Sequence, residues 1–100
     1  MPLIYNNEVR VFRTLCGSDG NNAYVIVCPE TAESIIVDAP LNPGQLLESA
    51  EGTRVRAILI THRHRDHLEG LQDIIDATGA PVGAHEEDGP GMPIRPDFLI

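Results

Sequence analysis

The chain has no lysine, and its seven basic residues stand against fifteen acidic ones, leaving a net charge of −8. A surface of that sign repels phosphate backbones and anionic lipid headgroups, which argues against nucleic-acid and membrane partners. No apolar run approaches the roughly 20 residues needed to cross a bilayer. Residues Met1 to Glu8 lack a basic segment followed by an apolar stretch of signal-peptide length, so the expected location is cytoplasmic. Only two cysteines are present, Cys16 and Cys28, both on predicted strands. Without a secretory mark they read as core thiols, with a strand-to-strand disulfide as the alternative. No internal repeat is visible.

What the chain does contain is an ordinary globular balance, 42% apolar and 22% charged over 100 residues. A single domain, 1–100, accounts for it, and burial of roughly two-thirds of the unfolded surface gives a modest core. Val9, Val11 and Leu15 alternate with polar residues as in a half-buried strand. The turn formers Gly17 to Asn21 end it. Ala23 to Cys28 and Ser34 to Val37, rich in β-branched residues and joined by a short polar segment, read as a hairpin. Asn42-Pro43 offers a cap and a first-turn proline for a helix that Gly52 ends. Val55 to Ile60 returns to the sheet, residues 66–78 give a second helix stopped by Gly79, and Pro81 to Ala84 gives a further strand. The expected fold class is α/β: a mixed β-sheet with helices on one face. After His85 the residues turn acidic and then rich in glycine and proline, so 86–100 is expected to be a loop-like tail.

The densest chemistry lies between Ile58 and Gly70, I-L-I-T-H-R-H-R-D-H-L-E-G. Three histidines and an aspartate fall within six positions. Imidazole nitrogens and a carboxylate are ligands that zinc, iron and manganese accept. In an extended segment leaving a strand, His62 and His64 point the same way and suit one ion. Asp66 and His67 project at an angle to that pair and suit a second ion, as two-metal hydrolytic sites require. The apolar run before the motif places it at the carboxyl end of a strand, where open α/β sheets bind ligands.

Thr61-His62-Arg63-His64-Arg65-Asp66-His67-Leu68-Glu69-Gly70 resembles the signature of the metallo-β-lactamase fold superfamily. The strands Asn22 to Val27 and Ile35 to Ala39 are similar to that family's opening hairpin. The resemblance implies half of a four-layer α/β/β/α sandwich, with His62 and His64 holding a first metal and Asp66 and His67 a second. Asp66 would be catalytic as well as a ligand. Asp38 would support a ligating histidine from behind, its other reading being a turn cap. Zinc, two ions in the complete fold, is the implied cofactor, with iron or manganese as alternatives.

The implied activity is hydrolysis of a thioester or ester of small-molecule size, in which a water made acidic by the metals attacks the carbonyl. The Asn22-Ala23-Tyr24 context looks closest to glyoxalase II-like thioesterases. The substrate-binding residues are not readable. The family completes its site with ligands from a second half that repeats the first, and here only His85 is left to offer one. The chain therefore reads as a truncated amino-terminal half. Rival expectations are a metal-binding half-domain without turnover and an iron-dependent enzyme resembling persulfide dioxygenases. The bare face of the half-sandwich is expected to carry Val25, Val27, Ile36 and Ile58 and to be covered by a second copy or by a carboxyl-terminal half.

Overall fold

Alternation of apolar side chains builds the sheet, and where the chain leaves the sheet sets the site. The computed structural model describes residues 3–6, 9–16, 21–39, 44–61, 70–85 and 96–99. Seven strands form one sheet in chain order: β1 (Leu3–Asn6), β2 (Arg10–Cys16), β3 (Asn21–Cys28), β4 (Glu33–Val37), β5 (Arg54–Ile60), β6 (Val82–Ala84) and β7 (Phe98–Leu99). Neighbours from β1 to β4 pair antiparallel, and those from β4 to β7 pair parallel. Helix α1 (Gly44–Ala50) links β4 to β5, and α2 (Leu71–Thr78) links β5 to β6. The mixed sheet with helices on one face is thus the architecture the sequence leads one to expect.

Cross-strand pairing aligns Phe12, Val25, Ile36, Ile58 and Val82 across five strands. They face Leu46 and Ala50 of α1 and Leu71 and Ile74 of α2, and together these residues make the core. Burying each large aliphatic side chain contributes roughly 1.5–3 kcal/mol. Each helix ends near a glycine in the left-handed region: Gly52 has φ +81°, and Gly79, at +66°, donates its N–H to the Ile75 carbonyl at 2.8 Å.

The parity of the sheet corrects one expectation. Val25, Ile36 and Ile58 are fully buried beneath the helices and Val27 nearly so, so they do not line the face away from the two described helices. That face carries Ile26, Ile35 and Ala57 in one row and Tyr24, Val37 and Leu59 in the next, all half-buried. Cys28, expected in the core, is likewise only half-buried, and its thiol is free. Both faces of β3 and β4 are apolar, and alternation alone does not say which one meets the helices.

The ends of the sheet add strands the sequence pattern is too short to reveal. β1 pairs with β2, and β7 pairs with β6 through two residues. Asp97 fixes β7: its N–H donates to the Val82 carbonyl and its Oδ2 accepts the Val82 N–H, both at 2.7 Å. The tail expected to be loop-like therefore rejoins the sheet, residues 86–95 lying outside the described residues. The expected Asn42-Pro43 cap and the first turns of the 66–78 helix lie outside them as well.

Candidate metal centre

Three parallel strands, β4, β5 and β6, end at one edge, and the residues just beyond them are Asp38, Thr61 and His85. Asp38 leaves β4 in the left-handed conformation, φ 68°, which costs a non-glycine residue on the order of 1–2 kcal/mol and is best tolerated by asparagine and aspartate. The side chain is 4% exposed. Its N–H donates to the Leu59 carbonyl at 2.8 Å. Both carboxylate oxygens turn to Thr61: Oδ1 accepts the Thr61 N–H at 2.8 Å and Oδ2 accepts the Thr61 hydroxyl at 2.6 Å. Strained backbone held by several bonds is the pattern found at functional sites.

The next residue closes the other end. Ala39 accepts the Gly70 N–H at 2.7 Å, immediately before α2 begins at Leu71. Two consecutive residues thus make one clasp: Asp38 holds Thr61 and Ala39 holds Gly70, the residues that flank the stretch 62–69. That stretch contains His62, His64, Asp66 and His67, which lie outside the described residues. Among the described residues no group of three or more potential metal-ligating side chains occurs. Imidazole and carboxylate donors within one short stretch, flanked by the fixed residues Thr61 and Gly70, fit a divalent transition metal.

His85 is exposed and follows Ala84, which pairs with Ile60, so it lies at the same edge as Thr61. A cavity of about 680 Å³ lies at the opposite end of the sheet, reached by Leu47, Arg54, Thr78 and Pro81. It surrounds the start of β5, whereas the motif follows its end. Thr61 and the Ala39–Gly70 bond escaped the sequence reading. The one available signal was that Thr61 directly precedes the first histidine.

Comparison with known proteins agrees with this geometry. Residues 16–98 match the family model of the metallo-beta-lactamase superfamily. The chain belongs to that superfamily. A hydroxyacylglutathione hydrolase from Polaromonas sp. is 41% identical over 71 residues, covering 69% of this chain and 27% of the relative. The corresponding protein from Methylobacterium nodulans is 38% identical over 88 residues, covering 86% and 33%. The chain thus spans about a quarter to a third of the length of these curated relatives. Among solved metallo-β-lactamase structures, the BLEG-1 B3 enzyme superposes with a TM-score of 0.74 at 25% identity, covering 90% of this chain and 52% of that one. TTHA1623 in a di-iron-bound form gives a TM-score of 0.66 at 31% identity, covering 79% and 40%. No described helix is long and apolar enough to cross a membrane.

Proposed function

We propose that this chain supplies the metal-ligand loop of a metal-dependent hydrolase acting on thioesters such as a hydroxyacylglutathione. The observation that supports the reading is the clasp of Asp38 and Ala39 on Thr61 and Gly70, the residues that flank the histidine- and aspartate-bearing stretch, at the carboxyl edge of the parallel strands. The relatives named hydroxyacylglutathione hydrolase support the substrate class. His62 and His64 would hold one cation and Asp66 and His67 another. When bound, such cations polarise the carbonyl of the substrate and acidify a water. The chain's own part is to fix the ligands: Asp38 anchors Thr61, which carries His62, and Ala39 anchors Gly70 at the far end of the loop.

Four donors shared by two cations give each only two, fewer than the three protein ligands of catalytic zinc sites. Further ligands from beyond this stretch are therefore part of the proposal, and the chain used alone turns over slowly. The test is elemental analysis of the purified chain beside a His62→Ala/His64→Ala variant, with S-lactoylglutathione hydrolysis measured in parallel. Bound metal lost in the variant, with turnover well below the ordinary range of about 1–1,000 per second, is the expected result. Equal metal content in both proteins would overturn the reading.

Iron is the second reading for the metal, favoured by the di-iron-bound relative structure, with an oxygen-consuming activity in place of hydrolysis. Oxygen uptake by the iron-loaded chain separates the two chemistries. Zinc remains the first reading because imidazole and carboxylate donors suit it and hydrolysis needs no redox change.

A further inference from the structure

We propose that the groove between the carboxyl ends of α1 and α2 binds a small organic carboxylate with an apolar body, its carboxylate paired with Arg54. The inference is independent of the metal-binding reading, because the groove lies at the opposite end of the sheet from Asp38 and Thr61.

The groove holds about 680 Å³, within the roughly 300–1,000 Å³ of small-molecule sites. Its walls are the last turns of the two helices, and its base is the start of β5 together with the residues leading into β6. Leu47, Ala50, Val55 and Ala80 supply the apolar part of the lining. Ala50 and Ala80 are buried, and Leu47 and Val55 are half-buried against the core, so the packing of the fold sets this surface before any ligand arrives. It suits a hydrocarbon chain or ring, whose burial there removes apolar area from water.

The sign of the ligand's charge follows from which polar groups remain unengaged. Helix carboxyl ends offer carbonyls and a partial negative charge, which by themselves favour a cation. Here those carbonyls are taken. Glu48 accepts the Glu51 N–H at 3.2 Å, and Ala50 accepts both the N–H of Thr53, at 3.0 Å, and its hydroxyl. Ile74 accepts the Thr78 hydroxyl at 2.7 Å, and Ile75 accepts the Gly79 N–H at 2.8 Å. Arg54 differs: its N–H donates to the Ala32 carbonyl at 2.8 Å, while among the described residues no side chain pairs with its exposed guanidinium. Arg56 brings a second positive charge to the lining. Ser34 aligns with Val55 and Ile35 with Ala57, so Arg56 is an extra residue in β5, and Glu33, which is not part of the lining, pairs with it at 3.1 Å. Extra residues of this kind re-aim side chains and are over-represented beside active sites. Against these two guanidinium groups the lining holds one carboxylate, Glu51. The groove is therefore locally positive in a chain of net charge −8. The fork of one unpaired guanidinium matches a planar, singly charged carboxylate, whereas a dianion such as phosphate meets stronger repulsion from Glu51 and the acidic surface.

The experiment titrates the metal-free, nitrogen-15-labelled full chain with three probes. Octanoate has both parts, octanamide keeps the body without the charge, and acetate keeps the charge without the body. Octanoate is expected to give saturable amide shifts at Arg54, Val55, Thr78 and Ala80, and to bind at least about 5-fold more tightly than either of the others. Arg54→Gln is expected to bring octanoate down to the octanamide level, and Arg54→Lys, which keeps the charge but loses the fork, falls between. Octanamide or acetate binding as tightly as octanoate overturns the inference, and so does an Arg54→Gln variant with wild-type affinity. Octanoate shifts confined to Tyr24, Ile26, Ile35 and Val37, on the other face of the sheet, or no saturable shift at all, overturn it as well. The comparison of the three probes on the wild type needs no variant, so a variant that fails to fold leaves the test decisive. None of these outcomes bears on metal binding.

Discussion

The ring of Phe98 occupies the space that a side chain on Gly83 would need. A Cβ built on Gly83 falls 2.2 Å from Phe98 Cε2 and 2.3 Å from Cζ, inside any permitted contact. Glycine at 83 thus lets the edge strand β7 lay its aromatic ring over β6. Gly83→Ala is expected to displace the ring and destabilise the fold by about 1–3 kcal/mol, the usual cost of overpacking. Phe98→Ala in the same chain is expected to remove most of that penalty. A double-mutant cycle in urea checks it, and additive effects of the two substitutions would contradict the contact.

Asp38 combines strain with satisfaction, so its substitutions separate the two. Asp38→Ala leaves the Thr61 N–H without its acceptor and puts a Cβ-bearing residue with no local compensation at positive φ. A loss of about 2–4 kcal/mol is expected from these terms together. Asp38→Asn tolerates the same φ and keeps one carbonyl acceptor, so it is expected to lose less than half as much. Denaturation midpoints of the metal-free proteins decide the order, and equal losses would show that the carboxylate's bonds do not matter to the fold.

Cys28 sits at the end of the sheet remote from Asp38 and Thr61, paired with Glu33. The hydroxyl of Thr31 donates to its sulfur, with help from the Thr31 and Glu30 N–H groups, and holds the thiol pKa below its ordinary value. A depressed folded-state pKa means the fold favours the thiolate. The stabilisation is present above the ordinary thiol pKa and is lost as pH falls through the lowered one. Alkylation of Cys28, followed by peptide mass spectrometry across pH, should therefore level off at a lower pH than for a free thiol. Thr31→Val is expected to move that inflection upward.

The half-buried rows of Ile26, Ile35 and Ala57 and of Tyr24, Val37 and Leu59 bear on behaviour in solution. A contiguous apolar face of this kind drives association of any chain that presents it uncovered. Sedimentation of the purified chain at micromolar concentration is expected to show species larger than a monomer. Ile26→Lys/Ile35→Lys is expected to shift the distribution toward the monomer without loss of helical signal. A wild type that stays monomeric and melts cooperatively would show the face to be covered by the chain itself.

The sequence made the order of strands and helices legible because turn formers and glycines separate its apolar runs, as Gly79 does after α2. It also showed a cluster of metal-accepting residue types, since His62, His64, Asp66 and His67 fall within six positions. The side of the sheet was not legible. Ile26 and Ile35 are as apolar as Val25 and Ile36, and only the packing of Leu46, Leu71 and Ile74 distinguishes them. The partner of Asp38 was hidden too, because its bonds to Thr61 cross 23 residues and a threonine after a strand carries no mark of such a role. Pro96 to Ile100 resembles only the lead-in to a strand, because the two residues of β7 are too few to show a period.

That both described helices lie on one face has a cause in chirality. Going from β4 to β5 and from β5 to β6, the chain steps the same way across the sheet and returns each time through a helix. Strand–helix–strand connections between parallel strands are right-handed in nearly all proteins. Two such steps taken in one direction must therefore deposit α1 and α2 on the same side. A crossover helix between parallel strands could reach the other side only if the chain stepped the opposite way along the sheet, and among the described strands from β4 to β7 it does not. The asymmetry between the two faces is consequently written into the winding of the backbone, and no exchange of side chains within these strands would remove it.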